Sequence, residues 1–66
     1  MREKKYLFFR DYAGNLIRVH EGKWKFDFYD DDEKKWHTCP MSDSNYYAMN
    51  HGWTSITEAE ALVEML

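Results

Sequence analysis

The chain has 66 residues, a single cysteine and a formal net charge of −3, with nine Lys and Arg against twelve Asp and Glu. That length holds one core, so a single domain spanning 1–66 is expected. The lone Cys39 excludes an intramolecular disulfide, and dispersed charge of net negative sign provides no basic field for nucleic acid or an anionic membrane. Stability must therefore come from packing, for which four Phe, five Tyr and three Trp supply large apolar areas.

Met1-Arg2-Glu3-Lys4-Lys5 leads into only four apolar residues, Tyr6 to Phe9. Four is too few for the core of a signal peptide or for a membrane span. A free thiol fits a reducing compartment, so the expected location is the cytoplasm. Tyr6 to Phe9 reads as a first strand and Leu16 to Val19 as a second. Between them, Asp11-Tyr12-Ala13-Gly14-Asn15 contains the Gly and Asn that tolerate the positive φ of a hairpin loop. Glu21-Gly22 separates the second run from Lys23 to Tyr29, the clearest period-two segment in the chain. As a third strand it directs Trp24, Phe26 and Phe28 to one face, expected to be core, and Lys23, Lys25 and Asp27 to a solvent face. The acidic run Asp30-Asp31-Asp32-Glu33 forms the next turn, and Lys35 to Cys39 returns as a fourth strand ended by Pro40.

Beyond Pro40 the pattern becomes helical. Ser42, Asp43 and Ser44 are candidate caps of a short helix through Tyr46, Tyr47 and Met49, with Gly52 just past its end. Trp53 to Ile56 is placed to add a short edge strand. Thr57-Glu58-Ala59-Glu60 has capping-box spacing with Ile56 set to staple against Ala61, so a second helix runs towards the C-terminus. Its stripe Ala59, Leu62, Val63 and Leu66 is expected to lie on the sheet. The resulting architecture is α+β: an antiparallel meander of three or four strands, a C-terminal helix packed on one face and a short helix before it, with an SH3-like small barrel as the alternative.

Aromatic residues fall in both alternation classes of the first strand, Tyr6 and Phe8 against Leu7 and Phe9. One helix cannot cover both faces. Either the short helix covers the second face, or aromatic surface is left for another protein or a second copy of the chain. Tyr12, Tyr29, Tyr46, Tyr47 and Trp53 are the candidate contact residues. The tyrosines sit in or beside predicted loops and helix ends, where an amphipathic ring stays partly wet while making contacts.

Other chemistry is poorly supported. Interleaved lysines and aromatics over Lys23 to Phe28 superficially suggest a base-stacking strand, but period two puts the two sets on opposite faces. His37 and Cys39 share a face, and His51 or Asp43 from the following segment would be needed to complete a zinc site. One thiol and no ligand spacing argue for none. The same pair lacks the surroundings of a nucleophile and base, and Asp30 to Glu33 lacks the alternating ligands of a calcium loop. Neither cofactor nor metal is expected, and the chain reads as a binding protein rather than an enzyme.

Asn15 to Val19 followed by Gly22-Lys23-Trp24, Lys35-Trp36 and Ile56 to Ala61 resembles small uncharacterised proteins of Gram-positive gut bacteria and their mobile elements, over most of the chain. The resemblance implies a bacterial cytoplasmic setting and no particular activity. The functional expectation is a small accessory protein that acts by protein–protein contact, self-association included. The alternative is an acidic inhibitor that fills a basic nucleic-acid groove of another protein through Asp27 and Asp30 to Glu33.

Overall fold

A computed structural model describes residues 5–66. Strands β1 (Tyr6–Arg10), β2 (Leu16–His20), β3 (Lys25–Asp30) and β4 (Lys35–Pro40) are followed by α1 (Asp43–His51), β5 (Thr54–Ile56) and α2 (Glu58–Glu64). All neighbouring strands pair antiparallel, in the order β4-β3-β2-β1-β5. The fold is thus the expected α+β meander, extended to five strands because Trp53 to Ile56 does supply an edge, Ile56 pairing with Phe8.

The turns form where local chemistry favours them. Asp11 Oδ1 accepts from the backbone N–H groups of Ala13 and Asn15 at 2.9 and 2.8 Å, and Gly14 adopts φ 87°. Asp30 Oδ1 caps the β3–β4 turn by accepting from the N–H groups of Asp32 and Glu33. The left-handed position of that turn is taken by Lys34, at φ 60°. Ser42 caps α1 by accepting from Asn45 N–H. Thr57 and Glu60 complete the capping box of α2 in both directions.

Residues directly opposite on paired strands share a face. Leu7, Val19, Phe26 and Cys39 align on the front of the sheet with Phe9, Ile17, Phe28 and His37. Here Ile17, Val19, Phe26 and Met41 make the core, joined by Phe9, Cys39, Met49 and Trp53. It is therefore the short helix α1, through Met49, that covers the main core. Phe8, Arg18, Asp27 and Thr38 align on the back, with Tyr6 beside His20 and Tyr29 beside Trp36. Helix α2 packs on the β1 side of that back face, where Arg10 pairs with Glu64.

Three expectations about burial need correction. Of Trp24, Phe26 and Phe28 only Phe26 is buried; Trp24, which precedes β3, is 55% exposed and Phe28 lies at the margin. Asp27, expected on a solvent face, is 1% exposed and the largest fully buried side chain. The physical reason is that Arg18, His20 and Thr38 close over it from both neighbouring strands. In α2 the expected stripe is also displaced: Leu62, Val63 and Leu66 are exposed, whereas Ala61 is fully buried and Met65 is partly shielded. The helix thus turns Ala61 inward and is rotated relative to its most apolar stripe.

Candidate interaction site

Three of the five candidate contact residues gather around α1. Helix α1 presents Tyr46 and Tyr47 side by side, so their rings diverge. Tyr46 meets Trp24 at a centroid separation of 5.2 Å, and Tyr47 meets His51 one turn later at 4.2 Å. Tyr12, in the β1–β2 loop, lies against Gly52 directly after the helix. Trp24 and Tyr12 thus join Tyr46 and Tyr47 at α1, the first against Tyr46 and the second beside Gly52, and Tyr12 and Tyr47 are 79% and 67% exposed. Trp24 joins this rim from just before β3, where its carbonyl accepts from Met41 N–H at 3.0 Å.

The other two candidates are placed elsewhere. Trp53 packs into the core between Phe9 and Phe26, each at 6.1 Å. Tyr29 sits on the back face, edge-on to Trp36 at 5.1 Å. Sequence position beside a loop does not separate these cases, because the direction of a ring depends on the strand or helix that approaches it.

The back face carries a polar cluster of a different kind. Arg18 Nε donates to Asp27 Oδ2 at 2.7 Å, and Thr38 Oγ1 donates to Asp27 Oδ1 at the same distance. His20 Nε2 stands 2.9 Å from Asp27 Oδ1, though without the alignment of a good hydrogen bond. Burial pushes the Asp27 carboxyl up, yet its Thr38 and Arg18 donors, with His20 beside them, outweigh that effect and hold it below the ordinary value. The Arg18 guanidinium lies 4.4 Å from the Tyr6 ring centroid and 4.2 Å from that of Trp36, between the two rings. Of this cluster only Asp27 is a candidate contact residue by sequence. A signal for the cluster existed: Arg18 and Asp27 are oppositely charged residues, each flanked by apolar neighbours in successive strands.

The hairpin tip brings Asp30, Glu33 and His37 together, their ligand-type atoms within 4.8 Å of one another. His37 Nε2 is 2.9 Å from Glu33 and 3.5 Å from Asp30, and its ring stacks on Phe28. The N–H of Glu33, and then that of Asp32, hold the Asp30 carboxyl below its usual range. Cys39 shares the front face with His37 but packs against the core, so the grouping of His37 and Cys39 with His51 or Asp43 is not the one the fold assembles. Among the described residues no helix is long and apolar enough to cross a membrane. Comparison with protein-family models, curated proteins and solved structures finds no match to the chain.

Proposed function

We propose that the chain is a small protein-binding module rather than an enzyme, and that the rim of Trp24, Tyr46, Tyr47 and Tyr12 pairs with the same rim of a second copy. The observation that carries this reading is that four exposed rings gather at one helix, two from α1 itself and two from the loops beside it. Amphipathic rings are enriched in contact surfaces, because they bury large area at small entropic cost. A two-fold interface requires a surface that is its own complement, and neutral rings meet that condition without charge matching. At about 200 Å² per ring, their exposed fractions amount to about 500 Å² in each copy. Pairing would bury about 1,000 Å² in total, the lower end of specific interfaces, so the association is weak and reversible. The expected setting is the bacterial cytoplasm.

The acidic-inhibitor reading is weakened by the burial of Asp27, which removes it from the accessible acidic surface and leaves only the hairpin tip. Sedimentation equilibrium over a wide concentration range tests the proposal. The parent chain should pass from monomer to dimer, and Tyr47→Ala combined with Trp24→Ala should remain monomeric with its thermal transition retained. A parent chain that stays monomeric at millimolar concentration, or a double variant that dimerises like the parent, overturns it. Strong salt dependence of the association would favour the acidic tip instead, since exposed charges are screened within about 10 Å at 0.1 M salt.

A further inference from the structure

We propose that Arg18 forms an oxyanion-binding site on the back of the sheet, with the paired oxygens of a carboxylate or phosphoryl group as its ligand. A guanidinium has five N–H donors, and the described residues use only the one on Nε, in the bond to Asp27. The terminal nitrogens Nη1 and Nη2 donate to no partner among those residues. The side chain as a whole is only 24% exposed. Among the described residues this is a charged fork whose root is fixed and whose tip has no partner.

Several features make the tip fit for binding. Arg18 Cζ lies over the Tyr6 and Trp36 rings while Nε is bonded to Asp27, so little rotamer freedom remains to be lost when a ligand docks. Those rings turn their negative faces to the cation, which leaves their positive edges bordering the position of the anion. Asp27 does not compete for the tip, since Oδ2 is bonded to Arg18 Nε and Oδ1 to Thr38. Among the described residues Arg18 forms no other ion pair. Lys25 lies in the same alternation class of β3 as Asp27 and adds positive charge to the face. A fork of two parallel N–H groups matches two oxygens of one carboxylate or phosphate bidentately, a geometry an ammonium group lacks. Because Asp27 neutralises the pair, attraction arises at hydrogen-bond range, and affinity for a lone ion falls in the millimolar range. This site lies on the face opposite the α1 rim and stands independently of the dimer proposal.

The test is titration of the 15N-labelled full chain with inorganic phosphate, acetate and chloride in separate series at matched ionic strength, following the Arg18 Nε–H and Trp36 Nε1–H resonances. Saturable shifts of both with phosphate, acetate or both, and none with chloride, are expected. Response to phosphate alone assigns a phosphoryl ligand, and response to acetate alone a carboxylate. Arg18→Lys keeps the charge opposite Asp27 but lacks the fork, and should weaken binding at least tenfold. Non-saturating, chloride-like responses in all three series overturn the proposal, as do saturable shifts that spare Arg18 and Trp36. Because the parent chain alone can refute it, the test survives a variant that fails to fold.

Discussion

Arg18 and Asp27 face each other across β2 and β3, guanidinium nitrogen to carboxylate oxygen at 2.7 Å, with the carboxylate buried and the cation between two aromatic rings. The pair occupies the position in the back face where an apolar core would otherwise lie. Such a pair is more costly to break than to replace, since removing one member strands the other charge without its partner.

Arg18→Met should therefore destabilise the fold by about 3 kcal/mol, most of it from the uncompensated Asp27 carboxylate. Arg18→Met combined with Asp27→Leu should cost less than Arg18→Met alone, because the double variant buries no unpaired charge. Urea unfolding of the two single variants and the double variant measures this coupling. Additive losses would show that the pair contributes little beyond its separate packing.

Acid stability follows from the same carboxylate. Asp27 titrates below its ordinary value of 3.8 when folded. A group whose folded pKa is depressed contributes stability that is fully present above the unfolded pKa and lost as pH falls through the folded one. The urea midpoint should accordingly hold steady above about pH 5 and decline below 3.8. Asp30 and Glu60, also lowered, by backbone N–H groups of Glu33 and Thr57 respectively, act in the same direction from exposed positions. Asp27→Asn should flatten the decline relative to its own neutral-pH stability. An unchanged slope in that variant would assign the acid sensitivity to the two surface caps.

Helix α2 offers a contrast between its buried and its exposed apolar positions. Ala61 is fully buried, so Ala61→Leu should overpack the contact with the sheet and cost about 1–3 kcal/mol. Val63→Lys, at an exposed site, should change stability by no more than about 0.5 kcal/mol. Thermal unfolding of both variants decides which stripe meets the sheet. A large loss at Val63 and none at Ala61 would restore the stripe of highest hydrophobicity.

Much of the fold is legible in the amino-acid sequence because its signals are local. Gly14 and Gly22 adopt the positive φ that hairpin turns use, Asp11 bonds its own loop, and Thr57 with Glu60 caps a helix through residues three apart. Strand and helix positions follow from such short-range chemistry and from hydrophobic period. Gly52 shows where that reasoning ends. It closes α1 at φ −136°, outside the left-handed region, and what its lack of a side chain admits is the Tyr12 ring, since a Cβ there would stand 1.7 Å from Tyr12 Oη.

What period two cannot decide is which of two alternation classes is covered, because both classes of this sheet carry aromatic residues and the two helices divide the faces between them. The burial of Asp27, the rotation of α2 onto Ala61 and the separation of Trp53 from Tyr12, Tyr46 and Tyr47 all depend on that division. Each is set by contacts between residues distant in the chain: Arg18 and Thr38 over Asp27, Phe9 and Phe26 around Trp53. The sequence by itself determined the elements, their order and their caps, since those free energies arise within a few residues. Only the tertiary structure decided which rings face solvent and which charge is buried, since these depend on desolvation by neighbouring strands and helices.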